Sequence, residues 1–161
     1  MQTQVYLSLG SNLGDRAGNL LQAIKLLAGA GEVVLVSSIY ETAPVEVTQQ
    51  SWFLNCALHL DTRATPEKLL ADLLAIEKSM GRERTSHKGP RLIDLDILLF
   101  GDHPYTSPTL TVPHPAMHQR RFVLAPMVEI APDLRHPVLQ RSMRQLLEDL
   151  PLDGQEVRRV P

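Results

Sequence analysis

Apolar and polar positions along the chain mark out a short series of strands and helices. Val5 to Leu9 reads as a first strand, followed by the turn-like Gly10-Ser11-Asn12-Leu13-Gly14. Asp15 is a good N-cap, and Ala17, Leu20, Leu21, Ile24, Leu27 and Ala28 then recur at helical spacing. Val33 to Tyr40 is a β-branched second strand, and a loop from Glu41 to Glu46 leads to a third, from about Trp52 to Leu60. Thr65-Pro66-Glu67 opens a second helix with a cap, a proline at the first position and an acid in the first turn. Leu69, Leu73, Ile76 and Met80 form its buried stripe, and Gly81 ends it.

Gly81 to Pro90 reads as a polar loop and Leu92 to Phe100 as a strand. The proline-rich stretch Pro104 to Pro115 cannot stay regular for long. A short helix is expected within Arg120 to Ile130, and Met143, Leu146, Leu147 and Leu150 give a last amphipathic one. Two passes of strand and helix predict an α/β (α+β) chain of the ferredoxin-like class, its sheet covered by helices on one side. Without repeats or linkers, residues 1–161 are expected to form a single domain.

Composition changes this picture little. At 43% hydrophobic and 21% charged residues, the chain can build an ordinary core. A net charge of -2 gives no reason to expect nucleic acid or an anionic membrane as partner. The single Cys56 excludes an internal disulfide. Met1-Gln2-Thr3-Gln4 lacks a signal peptide's basic start, and no run approaches a membrane span, so a cytoplasmic location is expected.

Candidate chemistry concentrates between residues 82 and 100. In a strand Ile93, Leu95, Ile97 and Leu99 would share one apolar face, leaving Asp94 and Asp96 together on the other. Their α-carbons would stand roughly 6.5 to 7 Å apart. Two carboxylates so close either hold a cation or cap the solvent face of an amphipathic strand, and spacing alone leaves both readings open. Magnesium suits them, since it takes one or two carboxylates and completes its octahedron with water and phosphate. Asp is uncommon in strands, and the preceding loop brings Arg82, Arg84, Lys88 and Arg91 against one acid, Glu83. Arginine forks match phosphate oxygens, so acid pair and basic loop together suggest a phosphate–metal site. Thr85, Ser86 and Gly89 suit a lid. No Walker-type loop or dinucleotide fingerprint is present.

The run His87 to Asp96, a basic residue, a variable position, Gly-Pro-Arg, two residues and Asp-Leu-Asp, resembles the signature of the 6-hydroxymethyl-7,8-dihydropterin pyrophosphokinase family. Leu9 to Gly14, Tyr40 to Val45, Phe53-Leu54-Asn55, Leu110 to His114 and Arg120-Arg121-Phe122 resemble its other blocks in the same order, so the likeness runs from Val5 to about Pro137. It implies a ferredoxin-like sandwich with a mainly antiparallel sheet, and pyrophosphoryl transfer from ATP to the hydroxymethyl group of the pterin, a step of folate synthesis. Asp94 and Asp96 would hold two magnesium ions against ATP. Arg82, Arg84, Arg91, His114 and Arg120 would meet the phosphates, with Glu77, Ile97 and Thr111 around the nucleotide. Phe53 and Phe122 would sandwich the pterin, Thr42 and Asn55 would bond its edge, and Ala43, Pro44 and Val45 would line its pocket. Arg82, Arg91, Asp94 and Asp96 would carry catalysis.

Lys88, Pro115 and Glu46 depart from the family pattern, and Lys88 removes an aromatic clamp for adenine. His103, His118 and His136 lack metal-ligand spacing and are taken as structural or surface residues. A monomer acting on two small molecules is expected. The rivals are another metal-dependent phosphoryl enzyme and a ferredoxin-like nucleic-acid module. The module would show a basic face with stacking aromatics, whereas aromatics are 4% of the chain.

Overall fold

Seven consecutive buried residues, Val5 to Ser11, place strand β1 (Thr3–Ser11) inside the sheet rather than at its rim. The computed structural model describes residues 1–43, 52–81, 91–152 and 155–161. β1 pairs antiparallel with β4 (Phe53–Thr62) on one side and with β5 (Asp94–Phe100) on the other. β4 also pairs with β2 (Glu32–Val36) and β3 (Tyr40–Thr42), and β8 (Val157–Arg159) adds to β3. The order β5-β1-β4-β2 for the strands of the two β–α–β passes, all antiparallel, is the split arrangement of ferredoxin-like folds.

Three sequence expectations change here. Gly10 and Ser11 continue β1, so the turn begins only after them. The strand expected from Val33 to Tyr40 is two strands, because Ser37 and Ser38 divert the chain. Ser37 Oγ donates to the Ser38 carbonyl and accepts the Ala57 N–H in place of one ladder bond, while the Ser37 N–H still donates to the Ala57 carbonyl. The last strand was not anticipated: β8 has no apolar alternation and exists through its pairing with β3.

Helix α1 (Arg16–Leu27) starts where Asp15 Oδ1 accepts the Gly18 N–H at 3.1 Å, and α2 (Pro66–Ser79) where Thr65 Oγ accepts the Lys68 N–H at 3.2 Å. Gly81, at φ 89°, ends α2 in a conformation that side chains disfavour. Both helices bury their stripes on the sheet face that carries Leu7, Leu9, Cys56, Leu58, Leu95 and Ile97.

The opposite face is covered too, contrary to the one-sided expectation. Tyr6, Ala57, Leu98 and Leu99 also need burial, and they meet Val123, Leu124 and Met127 of α3 (Arg121–Ile130) and Met143 and Leu146 of α4 (Met143–Glu148). A one-residue bulge sends Leu99 there. Tyr6 pairs with Leu99 while Leu7 pairs with Ile97, so Leu98 is the extra residue and the alternation flips after it. Leu99 therefore leaves the apolar row of Ile93, Leu95 and Ile97.

A small hairpin, β6 (Tyr105–Thr106) with β7 (Thr111–Val112), follows β5. The Glu67 carboxylate on the first turn of α2 accepts the hydroxyls of Tyr105, Ser107 and Thr109 and ties this hairpin down. Among the described residues no helix is long and apolar enough to cross a membrane.

Candidate active site

The site is laid out in rows across the second sheet face. Cross-strand partners share a face, and one row reads Asp94, Gly10, Asn55, Tyr40 across β5, β1, β4 and β3. The next row reads Asp96, Ser8, Ala57. The alternation that puts Leu95 and Ile97 in the α1–α2 core leaves both aspartates on the α3 side, half-buried. On the same face Phe53 and Thr42 are cross-strand partners at the ends of β4 and β3.

Asn55 is buried, and its Oδ1 accepts the Thr42 hydroxyl at 2.6 Å. Gly10 makes room for it, since a β-carbon there would stand 2.8 Å from Asn55 Nδ2. Sequence reasoning missed this role for Gly10. The available signal was a glycine in an otherwise apolar strand, which marks a close approach.

Arg91 joins the two halves of the site. Its backbone is clamped by Asn12: Asn12 Oδ1 accepts the Arg91 N–H at 2.6 Å, and the Asn12 N–H donates to the Arg91 carbonyl at 3.0 Å. Its Nη1 donates to Asp94 Oδ2 at 3.2 Å. Its guanidinium lies 5.8 Å from the Phe53 ring centroid. Its Nε is buried and has no hydrogen-bond partner among the described residues. A second arginine–aromatic pair sits at the start of α3, where the Arg120 guanidinium is 5.5 Å from the Phe122 centroid.

His114 follows the β6–β7 hairpin, and its N–H donates to the Leu98 carbonyl of β5 at 2.9 Å. Its Nδ1 accepts the Ala116 N–H at 3.1 Å, so the neutral ring carries its proton on Nε2. Burial pushes the imidazole below its ordinary pKa, the Arg120 charge adds to this, and Asp94 opposes it. Beside it lies a cavity of about 260 Å³, lined among others by Thr111, Pro115, His118 and His136.

Glu77 is buried at the end of α2 and accepts the Leu95 N–H at 2.8 Å. This ties α2 to the strand that presents the acid pair. Ile97 is buried in the α1–α2 core, so its side chain points away from the face that carries Asp94 and Asp96. Thr111 is exposed on β7 and Ala43 half-buried after β3. The structure thus gathers Asp94, Asp96, Arg91, Phe53, Asn55 and Thr42 around one face; His114 is close enough to Asp94 and Arg120 to feel both charges, and Phe122 packs against the second core cluster beside Arg120. The expected residues Pro44, Val45, Arg82 and Arg84, together with Glu46 and Lys88, lie outside the described residues.

This arrangement can be set against known proteins. The sequence profile of the 7,8-dihydro-6-hydroxymethylpterin-pyrophosphokinase (HPPK) family matches residues 6–132. The chain belongs to this family. It is 45% identical over 134 residues to the 2-amino-4-hydroxy-6-hydroxymethyldihydropteridine pyrophosphokinase of Methylorubrum extorquens, covering 82% of this chain and 85% of that protein. It is 38% identical over 141 residues to the pyrophosphokinase of the same name from Aquifex aeolicus, covering 88% of each. The folic acid synthesis protein fol1 of Schizosaccharomyces pombe is 42% identical over 92% of this chain, yet the match spans only 21% of that longer protein. A crystal structure of Plasmodium falciparum HPPK-DHPS superposes with a TM-score of 0.76 at 19% identity, covering 92% of this chain and 44% of that one. That likeness establishes the HPPK fold.

The donor set fits magnesium. Asp94 and Asp96 offer hard oxygens on one face, and no group of three or more potential ligands occurs among the described residues. An ion held there would complete its shell from phosphate and water.

Proposed function

We propose that this chain transfers the pyrophosphoryl group of ATP to the hydroxymethyl oxygen of 6-hydroxymethyl-7,8-dihydropterin, in folate synthesis. The new bond joins that oxygen to the β-phosphorus, the α–β bridging bond breaks, AMP leaves, and the hydroxyl proton passes to solvent. Arg91 carries this reading. A half-buried guanidinium that touches an acid on one side and an aromatic on the other, with its buried Nε unpartnered among the described residues, suits a phosphate oxygen arriving between metal and heterocycle.

Each residue then has a task. Asp94 and Asp96 hold magnesium, two ions in the family's manner, which neutralises phosphate charge. Arg91, His114 and Arg120 orient the phosphates, and Arg82 and Arg84 belong to the same reading. His114, kept neutral, donates a hydrogen bond from Nε2. Thr111 and the backbone of Ile97 border the nucleotide, while Glu77 holds β5 in place. Phe53 and Phe122 take the two faces of the pterin, Thr42 and Asn55 its polar edge, and residues 43–45 its surroundings. Such a reaction asks for alignment and charge neutralisation more than for a covalent intermediate. The same reading takes residues 1–161 as one domain acting as a cytoplasmic monomer, although a pea relative is named as mitochondrial.

The test is incubation with ATP, magnesium and the dihydropterin alcohol, followed by chromatography. AMP is expected only when the pterin is present. ADP and phosphate, or AMP formed without the pterin, would refute the assignment.

A further inference from the structure

Residues 155–160 touch both walls of the proposed pterin pocket, and they lie beyond the stretch matched to the family. The first wall is the end of β3 with the start of β4, which carry Thr42, Ala43 and Phe53. β8 pairs with β3 so that Val157 stands opposite Thr42 and Arg158 opposite Glu41. The Ala43 N–H donates to the Glu156 carbonyl at 3.2 Å, and the Val160 N–H to the Ile39 carbonyl at 2.8 Å.

Side chains reinforce this pairing. Glu41 Oε1 accepts Arg158 Nε at 3.0 Å and Nη2 at 2.6 Å, while its Oε2 accepts Arg16 Nη1 at 3.0 Å. The same Arg16 nitrogen donates to the Trp52 carbonyl at 2.7 Å, and the Arg158 guanidinium covers the Trp52 ring at 5.0 Å. One carboxylate therefore ties β3, β8, the start of α1 and the residue before Phe53. The two guanidinium groups, Arg158 foremost, hold Glu41 below the usual carboxylate range.

The second wall is the start of α3, which carries Arg120 and Phe122. Gln155 Oε1 accepts the Arg121 N–H at 2.7 Å, and Gln155 Nε2 donates to the Gln119 carbonyl at 3.0 Å. These bonds bracket Arg120 and satisfy a helix-start N–H that has no side-chain cap of its own.

We propose that residues 155–160 are a strap that fixes the spacing between the Phe53 and Phe122 walls, with Gln155 and Arg158 as positioning residues for the pterin. The inference rests on the proposed function. The strap acts through geometry rather than through stability. The Arg158 side chain is 70% exposed, and an ion pair so open to water contributes little to folding. A gap sized for a flat ring, by contrast, is sensitive to small displacements of either wall.

The test uses the full chain with Arg158→Ala, Gln155→Ala and Arg158→Lys. Each alanine variant should raise KM for the pterin roughly tenfold while KM for ATP and the melting temperature stay close to wild type. Arg158→Lys should recover part of the loss. Trp52, the chain's single tryptophan, should change its emission in Arg158→Ala even without substrate. An active wild type whose variants keep pterin KM, or raise both KM values together, overturns the strap alone. An inactive wild type overturns the proposed function, and the strap's role with it.

Discussion

Asn12 and Arg91, far apart in sequence, exchange two hydrogen bonds: the Asn12 side-chain oxygen accepts the Arg91 N–H at 2.6 Å and the Asn12 N–H donates to the Arg91 carbonyl at 3.0 Å. Asn12 is buried, so removing its amide leaves a polar group of the Arg91 backbone unpaired. Asn12→Ala should cost about 1–3 kcal/mol in stability by urea unfolding. Turnover should fall further than ATP-analogue affinity does, because Arg91 loses its fixed position.

Asp94→Asn and Asp96→Asn should fold normally, since relief of carboxylate repulsion offsets lost solvation. Turnover should drop by about 10²-fold or more, as expected when a preorganised charge is removed. Steady-state rates over a magnesium titration decide it, and near-normal turnover at ordinary magnesium would overturn the acid pair's role.

Phe53→Ala and Phe122→Ala should weaken pterin binding and leave an ATP analogue little affected. Each ring contact should be worth on the order of 0.5–1.5 kcal/mol beyond simple burial. Calorimetry with both ligands separates this from a purely structural role, in which stability falls while pterin affinity stays whole.

Gly10→Ala would put a methyl group 2.8 Å from Asn55 Nδ2. The amide must then move off Thr42, so the variant should bind pterin more weakly while retaining its sheet. Circular dichroism beside a pterin titration distinguishes this from general misfolding.

His114 and His136 both bind protons less readily when folded than an ordinary imidazole, chiefly through burial. The unfolded chain therefore binds more protons in the window just below about pH 6.5, and stability should fall as pH drops through it and level off above. His136→Gln should flatten the dependence of melting temperature on pH across that window, and an unchanged slope would exclude its contribution.

How much of this was legible in the sequence follows from range. The shared face of Asp94 and Asp96 was readable because strand alternation is local. The N-caps of α1 and α2 were readable for the same reason. The Leu98 bulge was not, because a one-residue slip is decided by what Tyr6 and Leu99 pack against on α3. The turn expected at Gly10 failed because its glycine serves a neighbouring strand, not a bend. The strap at Gln155 and Arg158 was invisible: its partners, Arg121, Glu41 and Trp52, lie up to 117 positions away.

The rows that carry Asp94, Asp96 and Asn55 are backed, on the reverse of the sheet, by Leu95, Cys56 and Leu9, each almost fully buried between the sheet and α1–α2. No local opening can disorder the floor of the site without tearing that core. Amide hydrogens of β1 and β4, the interior strands beneath the site, should therefore be the slowest to exchange, while the walls remain free to adjust. Under the proposed function, substitutions at Phe122 and along residues 155–160 retune the pterin pocket without loosening the floor that carries Asp94, Asp96 and Asn55.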